Sequence, residues 1–170
     1  MSTLHICPLD DVPDVIAQHA PSHAVSLVRL RHGNTLPEAL KQALALHLDI
    51  DDITEPQVDC VYPEAEHVDT LIDFLGTWQG DQPILIHCWQ GISRSVASGL
   101  ILLAMHAPGR EMEQALRLQA LMPFARPNKR LLALADARLQ REGRLLAMAD
   151  VFKPEVMVDI GKASSLRVLP

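Results

Sequence analysis

A chain of 170 residues, 48% hydrophobic and 21% charged, has the balance of one folded domain that buries about two-thirds of its unfolded surface, and it is not a disordered chain. Its 15 lysines and arginines against 21 aspartates and glutamates give a formal net charge of −6 with no basic run, which argues against nucleic acid and membranes as partners. Cys7, Cys60 and Cys88 have no paired spacing, so a reducing cytoplasm is expected rather than a disulfide framework, and neither a signal peptide nor the roughly 18 apolar residues of a membrane span is found.

Leu4 to Pro8 reads as a first strand stopped by proline, and Asp10 and Asp11 stand where an N-cap belongs ahead of a short helix to His19. Pro21-Ser22 breaks that helix before a second strand, Ala24 to Val28. Pro37 to Leu44 has helical composition, whereas Ala45 to Ile50 alternates like a half-buried strand. An acidic loop follows, with Asp49, Asp51, Asp52 and Glu55 ahead of Pro56. Pro63 to Gln79 is the clearest amphipathic helix, because Val68, Leu71, Ile72 and Leu75 recur at three- and four-residue steps.

Gly80-Asp81 leads into the apolar run Pro83 to Ile86, and this order of strand, helix and strand implies a parallel crossover. Arg94 to His106 is apolar on nearly every face and reads as a buried helix in which Gly99 permits a close neighbour. A further helix spans Met112 to Met122, and Asn128 caps another that runs to Arg141 or Glu142. Strong periodicity ends near Gly143. The expected organisation is a catalytic domain over residues 1–147 and an extension over 148–170, packed on the surface or partly mobile.

Between the apolar strand and the buried helix lies the nonapeptide His87-Cys88-Trp89-Gln90-Gly91-Ile92-Ser93-Arg94-Ser95. A loop between strand and helix turns consecutive N–H groups inward ahead of a helix N-terminus and forms an anion nest. Arg94 adds a planar fork for phosphate oxygens, and the same field favours thiolate at Cys88. The eight histidines are scattered without metal-ligand spacing, so no metal or cofactor is expected.

This nonapeptide resembles the signature of the cysteine-dependent protein tyrosine phosphatases: His-Cys, five residues, Arg, then Ser or Thr. In layout the resemblance runs over residues 4 to 142, although only 87 to 95 are specific. It implies an α/β fold with a central, mostly parallel sheet flanked by helices, of the phosphotyrosine phosphatase II type, in a compact dual-specificity-like, bacterial-type member. The implied chemistry is hydrolysis of a phosphomonoester through a phosphocysteine intermediate. Cys88 is the implied nucleophile. Trp89, Gln90, Gly91, Ile92, Ser93 and Arg94 hold the phosphoryl oxygens, and Ser95 assists departure of the sulfur. His87 is implied to support the loop by hydrogen bonding. The Pro127-Asn128 pair also resembles a segment of that family that opens a late helix.

The general acid must come from another loop, where Asp49, Asp51, Asp52 and Asp59 compete. Asp52, followed by Ile53, best resembles the position in bacterial relatives and is the expected acid, with Asp51 and Asp59 as alternatives. The expected substrate is a phosphorylated protein, phosphotyrosine above all, or a small phosphomonoester. A small-molecule or lipid phosphatase and a phosphate-binding pseudophosphatase remain the alternative readings. The absence of lysine from the loop lowers the inositol-phosphate reading.

Overall fold

A computed structural model describes residues 2–31 and 35–168, and among them five strands and six α-helices follow one another, the last four helices running consecutively between the fourth and fifth strands. Residues 169–170, inside the expected 148–170 extension, lie outside the described residues, as do Met1 and 32–34. The strands β1 (Thr3–Pro8), β2 (His23–Leu27), β3 (Leu44–Leu48), β4 (Ile84–Cys88) and β5 (Ser164–Arg167) form one sheet in the order β3-β2-β4-β1-β5. The first four are mutually parallel, and β5 runs antiparallel on the β1 edge. This is the expected mostly parallel α/β sheet.

Every residue of β4 is buried, as expected for a central parallel strand covered on both faces. Helix α1 (Val12–His19) covers one face, where Val12, Val15 and Ile16 pack with Cys7, Ala24, Leu40 and Leu85. On the opposite face lie α2 (Ala65–Thr77), α3 (Arg94–His106), α4 (Glu111–Leu121), α5 (Lys129–Arg138) and α6 (Arg144–Asp150), around the larger core. The apolar stripe of α2 is buried as its periodicity predicts, and a reciprocal Glu64–His67 capping box opens the helix. Helix α3 crosses β1 so closely that a Cβ on Gly99 would come within 2.8 Å of Ile6 Cδ1.

Three expectations change. The third strand begins and ends earlier than Ala45–Ile50, and beyond Leu48 the Ile50 N–H turns back to donate to the Leu48 carbonyl at 3.0 Å. Helix α5 stops at Arg138, where Gln140, Glu142 and Gly143 adopt positive φ of 54°, 54° and 85° and reverse the chain. Regular structure then resumes beyond Gly143. Helix α6 and strand β5 supply Leu145, Met148, Ala149 and Leu166 to the same core, joined by Phe152 and Val168. Among the described residues, no helix is long and apolar enough to cross a membrane.

Candidate active site

Strand β4 ends at Cys88 and α3 starts at Arg94, so residues 89–93 turn at the carboxyl end of the parallel strands, the usual location for a site in open α/β sheets. Four residues from three segments fasten the outside of this loop. Leu9 N–H donates to the Trp89 carbonyl at 3.3 Å, Gly161 to Gln90 at 2.8 Å, Arg126 to Ile92 at 2.8 Å and Asn128 to Ser93 at 3.4 Å. A trans peptide points its N–H opposite to its C=O. Anchoring these carbonyls outward therefore turns the N–H groups of Gln90, Gly91, Ser93 and Arg94 inward, which is the geometry of an anion nest. Gly91 has φ of 71°, and a Cβ there would stand 2.5 Å from Pro8 N and 2.7 Å from Cys7 C, so only glycine fits.

The loop closes around a buried sulfur, as Cys88 is 1% exposed. Its Sγ accepts from the Gly91 N–H at 3.2 Å and lies 3.2 Å from Ser95 Oγ, two donors suited to an ionised sulfur. Arg94 is buried, and one arm donates to the Ile50 carbonyl at 2.6 Å, which fixes the plane of the guanidinium beside the nest. His87 lies on the opposite face of β4 from Cys88, next to Cys7 and Ser26 on the flanking strands. Burial lowers its imidazole to about 4, the His47 and Arg94 charges add to this, and the Cys88 backbone opposes it. Neither ring nitrogen finds a well-formed hydrogen bond among the described residues. The ring is buried behind the strand that carries Cys88, with the Cys88 backbone as its polar neighbour.

The four candidate acids have different surroundings. Partial burial works against ionisation of Asp49, but the Leu30 N–H, at 2.8 Å, and the paired Arg29 outweigh it and hold the carboxyl below its usual range. Asp51 accepts from Arg31 at 3.0 Å through both oxygens and from the Val61 N–H at 2.7 Å, while its own N–H donates to the Val61 carbonyl at 2.9 Å. These bonds close the neck of the loop. Asp59 is exposed at φ 58°, with its carbonyl on Arg31. Asp52, the next residue after the neck, reaches the phosphate loop: its Oδ1 accepts from Ser93 Oγ and from Asn128 Nδ2, both at 2.7 Å. Both donors fall on the same oxygen of the carboxylate.

Asn128 was legible only as a helix cap. It does cap α5, since its Oδ1 accepts from the Leu131 N–H at 3.0 Å, while its Nδ2 grips Asp52. The Pro127-Asn128 pair marked the position but not the second task. The Ile50 carbonyl and Gly161 left no signal in the sequence.

Two hollows flank the loop. One, about 270 Å³, is lined by Arg29, Arg31, Asp51, Trp89 and Arg94. The other, about 560 Å³, includes Asp52, Gln90, Ser93, Arg126 and Asn128. Trp89, at 46% exposure, lines the smaller hollow together with Arg94.

No protein-family model and no curated protein matches the chain. Solved structures match its fold. DUSP15 superposes with a TM-score of 0.61 at 16% identity, over 89% of this chain and 94% of that one. Human DUSP28 gives 0.60 at 16% identity over 82% and 94%. A human tyrosine phosphatase-like serine/threonine/tyrosine-interacting protein gives 0.57 at 17% identity over 82% and 92%. The chain therefore has the fold of the dual-specificity phosphatases.

Proposed function

We propose that this fold houses a cysteine-dependent phosphatase of the protein tyrosine phosphatase superfamily, hydrolysing phosphomonoesters through a phosphocysteine intermediate. The observation that carries this reading is the loop itself. Its outward-anchored carbonyls turn the Gly91 N–H onto the Cys88 sulfur, and Asp52 is fixed to the same loop through Ser93.

In the first step Cys88 Sγ attacks phosphorus in line, the S–P bond forms, and the bond to the leaving oxygen breaks as Asp52 supplies its proton. The inward N–H groups and the Arg94 fork hold the three equatorial oxygens, where charge must be stabilised through the transition state. In the second step water attacks phosphorus, Asp52 takes its proton, and the S–P bond breaks. Ser95 Oγ, 3.2 Å from the sulfur, stabilises the departing thiolate.

The lining supports a substrate with one phosphoryl group. Arg29 and Arg31 are already matched by Asp49 and Asp51, which leaves the charge of Arg94 for the substrate. The exposed Trp89 face suits an aromatic leaving group, so a phosphotyrosyl protein is the favoured class over a small-molecule or lipid phosphate. Three free cysteines, one of them the nucleophile, suit a reducing compartment such as the cytoplasm.

Hydrolysis of an aryl phosphate, with mass-spectrometric trapping of phosphorylated Cys88, tests the reading. Cys88→Ser should abolish turnover and leave the fold intact; undiminished turnover would overturn the mechanism. The third structural neighbour is described by interaction, which keeps a second reading open. Phosphate binding to the wild-type chain without any phosphocysteine would move it to a phosphate-reading role.

A further inference from the structure

The last segment of the described chain leaves α6, passes over the outer face of the phosphate loop and ends in β5. At its closest approach Gly161 N–H donates to the Gln90 carbonyl at 2.8 Å. That carbonyl and the Gly91 N–H belong to one planar peptide and point in opposite directions. The Gly91 N–H in turn donates to Cys88 Sγ at 3.2 Å. A single peptide plane thus has the tail on one side and the nucleophilic sulfur on the other.

The approach leaves no slack. A Cβ on Gly161 would stand 2.8 Å from Ile92 Cγ2, 3.1 Å from the Gly91 carbonyl oxygen and 3.1 Å from Phe124 Cε2. The strap is held on both sides of this point. Arg126 Nη2 donates to the Val158 carbonyl at 3.4 Å, β5 pairs with β1 from Ser164 to Arg167, and Val168 N–H donates to the Ser2 carbonyl at 2.9 Å. The same β1 ends in the Cys7–Pro8 backbone on which Gly91 sits. Strap and strand therefore close on the Gln90–Gly91 peptide from two directions.

We propose that Gly161 is a positioning residue of the active site: its N–H fixes the Gln90–Gly91 peptide with the N–H toward Cys88, and so keeps a hydrogen-bond donor aimed at the sulfur. Without the outer anchor the peptide is free to rotate, and the sulfur loses a donor. Chained hydrogen bonds also polarise one another, so the Gly161 donor strengthens the Gly91 donor as well as aiming it. The inference rests on the reading of Cys88 as nucleophile and adds to it a part of the chain outside the loop.

The test is Gly161→Pro, which deletes the N–H. Its first readout is the rate of Cys88 alkylation by iodoacetamide against pH, followed at that residue by mass spectrometry. The second is the pH dependence of kcat/KM on an aryl phosphate. Losing a charge-assisted donor is expected to move both profiles toward higher pH by about one unit and to lower kcat/KM about tenfold below neutrality. Thermal unfolding checks that the variant is folded.

If Gly161→Pro does not fold, Gly161→Ala carries the test in two backgrounds. Added to wild type it should shift the profiles. Added to Ile92→Ala, where the clashing methyl is gone, it should shift them far less. A folded variant with unmoved alkylation and activity profiles overturns the proposal. So does an Ile92→Ala background that gives no relief. A wild-type chain without turnover would instead sink the phosphatase reading, and the alkylation profile would still report on the strap.

Discussion

Asp51 and Asp52 are neighbours with opposite fates. Asp51 spends both oxygens on Arg31 and the Val61 N–H and shuts the loop neck, whereas Asp52 takes two donors on one oxygen beside the phosphate loop. Asp52→Asn is expected to slow hydrolysis by about a hundredfold or more, with the largest loss for leaving groups of high pKa. Comparing an aryl with an alkyl phosphate measures that difference. If Asp59→Asn produced the leaving-group dependence instead, Asp52 would not be the acid. Asn128→Ala removes a helix cap and an Asp52 anchor together. It should cost about 1 kcal/mol in chemical denaturation and also reduce kcat, which loss of the cap alone would not do. The proximity of Cys88, Arg94 and Ser95 was legible because one strand-loop-helix segment supplies thiol, cation and hydroxyl at fixed spacing. Asn128 and Gly161 act on partners distant in sequence, and no local pattern encodes such pairings.

At the scale of elements, apolar patterning located α2, β4 and α3 well, since α2 buries one stripe whereas β4 and α3 are buried nearly throughout. It failed after Gly143. Helix α6 has only seven residues, and β5 only four, too short for a periodic signal to emerge. Tertiary contacts hold them instead. Asp136 near the end of α5 accepts from the Gly143 N–H at 2.7 Å and the Leu145 N–H at 2.9 Å, so one buried carboxylate ties the α5–α6 turn to the start of α6. Asp136→Ala leaves both N–H groups unpaired and should destabilise the protein by about 1–3 kcal/mol, with α6 losing amide-exchange protection first. Equal protection in variant and wild type would show that other contacts hold the turn. The acidic loop is pinned similarly, since Arg130 Nε donates to the Pro63 carbonyl at 3.0 Å and its guanidinium covers the Tyr62 ring at 4.5 Å. Asp52 therefore stands on a loop fixed by α5, not on a free lid.

Across the whole molecule, two buried histidines set a limit on acid tolerance. Burial, with the stacked His19 charge adding, lowers His5 to about 4, and burial also lowers His87 to about 4. Above about pH 6.5 both are neutral folded and unfolded. As pH falls from there toward 4, the unfolded chain takes up protons that the folded chain refuses. Stability is therefore present above the unfolded value and drains away through that window, by up to about 3 kcal/mol for each group. Urea denaturation at pH 7.5 and pH 5 should give a clearly lower midpoint at pH 5, and His5→Gln should narrow the gap. Equal midpoints at the two pH values would mean that these imidazoles protonate freely in the folded protein.

The pairing of β5 with β1 also has a meaning in time. A ribosome delivers Gln90 and Cys88 long before Gly161, and the strand that anchors the strap is made later still. Until those residues emerge, β1 offers a bare edge and the Gln90 carbonyl has no outer partner. Domains take shape as synthesis proceeds, and here the sheet and its buried helix can assemble around a loop that is not yet set for chemistry. A nascent chain stalled short of Gly161 would carry the loop without its outer anchor.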